Sequence, residues 1–143
     1  MKIIFVRHGQ TNMNNPRRMQ GISNEELNAT GREQADEIRK VLENKKIDLI
    51  IVSPLKRAIQ TAEIINSNMN KEIIIDERII EMNYGELEGE VYCKDYWNMD
   101  YDYKSIKGEN ISDFQKRIYN FIEDIKIKYR ENNVLIVAHR WCS

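Results

Sequence analysis

The sequence predicts an α/β domain of three layers, with helices on both faces of a mostly parallel central sheet. Three observations carry that expectation. Short apolar runs rich in β-branched residues recur at positions 3–6, 48–52, 72–76 and 134–138, each bounded by polar sequence. Segments of helical period lie between them. The resulting strand–helix–strand alternation requires crossover connections, which make neighbouring strands parallel. The 143 residues are read as one domain over 1–143. At this size roughly 70% of the unfolded chain's surface is buried on folding, so neither disulfides nor metals are needed to stabilise a core.

In chain order, Ile3, Ile4, Phe5 and Val6 form the first strand, closed by Arg7. Thr30-Gly31-Arg32-Glu33 has capping-box spacing and opens a helix carrying Ala35, Ile38, Val41 and Leu42 on one face. Asp48 to Val52 make the second strand. Ser53-Pro54 then reads as an N-cap with proline at the first helical position, followed by Leu55, Ala58, Ile59, Ala62 and Ile65. Glu72 to Asp76 form the third strand. A long amphipathic helix over about 112–129 carries Phe114, Ile118, Phe121, Ile122, Ile125 and Tyr129, with Lys and Arg gathered toward its C-terminal end. Val134 to Ala138 form the fourth strand. The stretch 84–108, rich in acids and aromatics, reads equally as a substrate-facing cap or an irregular connection.

Composition excludes several classes of function. Hydrophobic residues are 41% and charged residues 31%, the balance of a globular protein rather than a disordered one. Lys and Arg number 22 against 23 Asp and Glu, a net charge of -1. That balance argues against a global grip on nucleic acid or an anionic membrane, while leaving room for a local basic pocket. Two cysteines, Cys93 and Cys142, have no framework spacing, and the N-terminal apolar run is too short for a signal peptide or membrane span. A cytoplasmic protein is expected. Two histidines and two cysteines make a zinc cluster improbable.

In open α/β sheets ligands bind beyond the carboxyl ends of the strands. Arg7-His8-Gly9 follows the first strand, Ser53 to Arg57 the second, Glu81 comes shortly after the third, and His139 follows the fourth. Both histidines therefore fall on one rim, with two arginines and a glutamate. Guanidinium forks match phosphoryl oxygens and stay charged. Arg57 also sits in the first turn of its helix, where backbone N–H groups favour an anion. A neutral imidazole is a competent nucleophile toward phosphorus, and a nearby arginine favours the neutral form. Glu81 is a candidate general acid if desolvation raises its pKa. The Arg/His set is able to carry the charge that magnesium carries in other phosphoryl-transfer enzymes, so no metal and no cofactor are expected.

These residues belong to five ordered blocks: Arg7-His8-Gly9-Gln10-Thr11 with Asn14; Met19-Gln20-Gly21, Leu27, Gly31 and Gln34-Ala35; Ser53-Pro54-Leu55 with Arg57-Ala58 and Thr61-Ala62; Ile80-Glu81 with Tyr84-Gly85 and Glu88-Gly89; and Gly108-Glu109, Arg117 and Val137-Ala138-His139. In that order and spacing the chain resembles the histidine phosphatase superfamily, in its phosphoglycerate mutase-like branch. The resemblance implies that His8 becomes phosphorylated, that Arg7, Arg57 and His139 bind the transferring group, and that Glu81 donates the proton. It implies substrate contacts from Asn14, Thr11 and the Gly21 backbone. The expected activity is metal-independent hydrolysis of small phosphate monoesters. The expected partner is a small phosphorylated metabolite or phosphate, with no nucleic acid or membrane partner; a homodimer is compatible with it.

Two alternatives are carried with it. Arg17-Arg18 keeps open a cofactor-dependent phosphoglycerate mutase, although no Arg-Arg pair follows Glu81 and the tyrosines, Trp97 and acids beyond Gly89 make a poor clamp for a second phosphate. Arg17 and Arg18 read equally well as solvated loop residues. The other alternative is a remnant that binds phosphate with little turnover. It arises because the family continues past its second histidine with two glycines and a covering helix, whereas this chain reads Arg140-Trp141-Cys142-Ser143. One inserted base turns Gly-Gly-Val codons into Arg-Trp-Cys, so a frameshift with loss of the C-terminal elements is expected. On that expectation one face of Leu135, Ile136 and Val137 is exposed and His139 is loosely held.

Overall fold

All four apolar runs form strands. In the computed structural model, which describes residues 1–98 and 100–140, they are β1 (Lys2–Arg7), β2 (Leu49–Val52), β3 (Glu72–Ile75) and β4 (Asn133–Ala138). Among the described residues they build one parallel sheet in the order β1-β4-β2-β3. The last strand thus lies inside the sheet, and its register places Ala138 beside Arg7 and Val137 beside Val52. That alignment brings the ends of β1, β2 and β4 level, which is what collects the rim residues.

Three helices cover the two faces: α1 (Ala29–Val41), α2 (Lys56–Asn66) and α3 (Ile111–Lys128). Side chains alternate across the pleat. Val6, Ile50, Val52, Leu135 and Val137 meet Leu42, Ala58, Ala62 and Ile65 on the α1/α2 face. Leu49, Ile51, Val134 and Ile136 meet Ile79, Phe121 and Ile125 on the α3 face. Leu135, Ile136 and Val137 are therefore fully buried, contrary to the expectation of an exposed face on β4. The reason is topological: β4 has a strand on either side and helices above and below, and the open apolar positions are Phe5 and Ile75 on the edge strands β1 and β3.

Two helix starts differ from the sequence reading. Asn28, not Thr30, caps α1, its Oδ1 accepting from Gly31 N–H at 2.8 Å. An Asn accepts this bond as well as Thr does, and its position one residue outside the helix gives it the N-cap geometry. The second helix begins at Lys56 rather than at Pro54, and Asn24 Oδ1 accepts the Lys56 N–H at 2.8 Å. Ser53 is left for another role.

The stretch 84–108 pairs with the loop after β1. Met19 N–H donates to Glu90 O, Gly89 N–H to Met19 O, and Tyr92 N–H to Arg17 O. Short 3-10 turns at Gly85–Leu87, Lys94–Tyr96 and Tyr103–Ile106 shape it. Buried Tyr103 anchors it on Met82, Ile111 and Phe114, with its hydroxyl bonded to Tyr96 O. Trp141, Cys142 and Ser143, on which the frameshift expectation rests, lie outside the described residues.

Candidate active site

The rim at the strand ends surrounds a cavity of about 330 Å³. Arg7, His8, Asn14, Gly21, Arg57 and Glu81 all line it. The structure therefore brings together six of the eight residues singled out in the sequence. Thr11 and His139 are fully buried behind this wall. Thr11 works at second hand: its N–H donates to Asn14 Oδ1 at 2.8 Å and its hydroxyl to Gln20 Oε1 at 2.8 Å, fixing two cavity residues.

His8 is held in one tautomer. Its Nδ1 lies 2.6 Å from Gly9 O, and a carbonyl only accepts, so Nδ1 carries the proton. The lone pair is then on Nε2, which accepts from Arg57 Nε at 3.3 Å. Burial, and after it the Arg57 charge, pushes the imidazole pKa down to about 3. The ring is neutral at any working pH. The turn that carries it is tight: a Cβ on Gly9 would meet Gly31 O at 2.3 Å, so glycine at both positions lets the loop lie against the start of α1. Thr61 Oγ1 fastens the turn by accepting from Gly9 N–H at 3.0 Å.

His139 packs edge-on to His8, ring centroids 5.3 Å apart. It is held firmly rather than loosely, because Ser53 Oγ sits 2.8 Å from its Nε2. Ser53 Oγ also accepts the Leu55 N–H at 3.4 Å, which fixes the hydroxyl that meets the ring. The other ring nitrogen, Nδ1, finds no hydrogen-bond partner among the described residues. Burial lowers the His139 pKa well below the ordinary histidine value, with Arg57 and His8 adding to it.

Arg57 is nearly fully buried, a cost that its contacts offset. Its Nη1 donates to Ser23 O at 2.6 Å and its Nη2 to Gly21 O at 2.7 Å, while Nε addresses His8. Desolvation pulls its pKa down to about 10, still charged near neutrality. The loop it grips requires glycine at 21, where φ is +53°. Glu88 holds the outer side of that loop, accepting from Ile22 N–H at 2.6 Å and Ser23 Oγ at 3.2 Å.

Glu81 faces the cavity from the segment after β3. Burial raises its carboxyl to about 7, against the lowering influence of the Met82 N–H bond and of Arg57, Arg117 and Arg7. One rim thus holds a neutral imidazole with an aimed lone pair, fixed cations and a carboxyl poised near neutrality. Those are the parts of phosphoryl transfer.

Arg17, Arg18, Tyr84, Tyr92, Trp97 and Arg140 also line the cavity; the sequence names Arg17 and Arg18 as a candidate basic pair and gives the other four no defined place in the site. Arg17 stacks on Tyr92 at 3.5 Å and Arg18 donates to Gly89 O at 2.8 Å, so neither is a merely solvated loop residue. The 84–108 stretch is a cap facing the cavity. The signal was the aromatic content of that stretch, but no periodicity in it says which rings point inward.

A parallel α/β sheet whose strand ends gather arginines, a histidine and a glutamate around one cation-lined cavity, with a second histidine packed behind, is the site of an enzyme that handles phosphoryl groups. The chain matches the family model of the histidine phosphatase superfamily (branch 1) over residues 3–142 and belongs to that family. It is 36% identical to the Bacillus subtilis phosphatase PhoE, across 96% of this chain and 70% of that one. It is 30% identical to phosphoserine phosphatase 1 of Hydrogenobacter thermophilus, across 97% of this chain and 71% of that one. Among solved structures, Bacillus stearothermophilus YhfR superposes with a TM-score of 0.86 at 31% identity, across 96% of this chain and 73% of that one.

Proposed function

We propose that this phosphatase hydrolyses small phosphate monoesters through a phosphohistidine on His8. The single observation that carries the reading is the geometry of His8: Nδ1 committed to Gly9 O, and Nε2 unprotonated at the cavity wall. In the first half-reaction the Nε2 lone pair attacks phosphorus, a P–N bond forms, and the ester P–O bond breaks. The departing oxygen takes the proton of Glu81 and leaves as the alcohol. In the second, Glu81 as carboxylate removes a proton from water, whose oxygen attacks phosphorus. The P–N bond breaks, its electron pair returns to Nε2, and inorganic phosphate leaves. Arg7 and Arg57 stabilise the charge on the transferring oxygens. His139, whose ring packs against His8 and whose Nδ1 has no partner among the described residues, is the further candidate for the same task. Asn14 and the Gly21 backbone serve as outer phosphate contacts.

Substrates of this class are small enough for a cavity of about 330 Å³ and carry a phosphoester that reaches its floor. Incubation with 4-nitrophenyl phosphate in the presence of EDTA tests the reading. Release of phosphate that His8→Ala abolishes supports it; release that survives that substitution, or that needs added metal, overturns it. A mutase-type transfer is a second reading, favoured by Arg17, Arg18 and Arg140 on the outer cavity wall. It predicts passage of the phosphoryl group to a second hydroxyl acid instead of to water.

A further inference from the structure

We infer that Arg117, locked by Glu109, is a positioning residue for the proton-donating step, setting where the Glu81 carboxyl stands relative to the leaving oxygen. The inference rests on the proposed role of Glu81. Arg117 lies one turn and a half into α3, partly buried, with its guanidinium directed at the segment that carries Glu81 rather than at solvent. Its Nε and Nη2 engage both oxygens of Glu109 at 2.9 and 2.8 Å, a two-point fork. Nη1 donates to Arg78 O at 2.6 Å and Ile80 O at 2.9 Å, and Nη2 to Glu81 O at 3.2 Å. All five N–H groups are therefore used.

Three of the five bonds fall on carbonyls within four consecutive residues ending at Glu81. This matters because residues 80–84 have no strand or helix of their own to hold them. The preceding 3-10 turn, Glu77–Ile79, is capped by Asp76 and does not reach Glu81. Backbone placement of the carboxyl is thus delegated to a side chain on α3. The fork is rigid, and lysine, with one rotating ammonium, cannot reproduce it. A displacement of the donor by about 1 Å is enough to cost a large factor in rate.

The role separates from simple stabilisation by the choice of leaving group. An ester of an acidic phenol departs without protonation, whereas an alkyl ester needs the acid. Steady-state kinetics of the full chain and of Arg117→Lys, Glu109→Gln and Glu81→Gln are compared on 4-nitrophenyl phosphate and on glycerol 2-phosphate. For Arg117→Lys, kcat/KM, which reports phosphoryl transfer to His8 and not the later attack of water in which Glu81 also acts, is expected to fall roughly tenfold or more on the alkyl ester and to stay within about threefold on the nitrophenyl ester, the pattern of an impaired general acid. Glu109→Gln, which keeps its size and is the variant more certain to fold, is expected to show the same split in milder form. Equal losses on both esters, or none, in the two fork variants overturn the positioning role. If Glu81→Gln itself shows no split, the proton-donor reading fails and the positioning role falls with it.

Discussion

At the scale of single residues, the site depends on two groups moved far from their solution behaviour in opposite senses. His8 is driven down to about 3 by burial and Arg57, and Glu81 is driven up to about 7 by burial. The kcat/KM for alkyl phosphates, which reports the first half-reaction, is accordingly expected to fall as pH rises through about 7, because the acid must be protonated there, with no matching loss from His8 until far more acidic conditions. A kcat/KM that declines between pH 6 and 5 on account of the enzyme, where an ordinary histidine protonates, would contradict this assignment. The same burial has a stability consequence. Since the folded His8 pKa is depressed, its contribution is fully present above about 6.5 and is lost as pH falls toward about 3, at roughly 1.4 kcal/mol per pH unit. Thermal unfolding recorded from pH 7 to 4 should therefore show a gentler decline for His8→Asn than for the parent chain.

At the scale of elements, helix and strand identity was legible because hydrophobic period reports it directly: all four strands lie within a residue or so of the apolar runs, and α3 covers Ile111–Lys128. Caps were less legible, since Asn28 and Thr30 are both competent acceptors and only the approach of the chain selects between them. Ser53 shows the same limit. Its spacing before Pro54 reads as a cap, yet its hydroxyl serves His139, a partner 86 positions away that no local pattern reveals. Removing it in Ser53→Ala should cost about 1–3 kcal/mol by stranding a buried imidazole nitrogen, and should lower kcat; unchanged stability with unchanged kcat would show that the Ser53–His139 bond holds nothing in place. On the α3 face, Phe121 is fully buried between β2, β4 and the turn after β3. Phe121→Ala is expected to destabilise by about 3–5 kcal/mol in denaturant unfolding, the range for a large core truncation. The sheet order explains the corrected expectation at β4, because strand sequence does not reveal that the last strand inserts between β1 and β2.

At the scale of the whole molecule, a net charge of -1 conceals a strongly polarised surface. Arg7, Arg17, Arg18, Arg57 and Arg140 share one cavity with a single carboxylate-bearing residue, Glu81. Bulk composition argues only against a global grip on a polyanion and does not display this concentration of arginines, because it arises from four separate stretches of chain. Inorganic phosphate should bind there and raise the unfolding temperature in a concentration-dependent way, as expected for a ligand of the folded state alone. Added salt should weaken that effect by screening; stabilisation by phosphate that ignores ionic strength, or is absent, would place anion recognition elsewhere. The central claim is covalent and is tested most directly by trapping. The enzyme is mixed with a phosphate ester, quenched in alkali within a turnover, and its intact mass and phosphorylated peptide are measured. The account predicts one added phosphoryl group, stable to base and labile to acid, on the peptide containing His8 and missing in His8→Ala. Turnover with no covalent adduct, or an adduct on another residue, would contradict it.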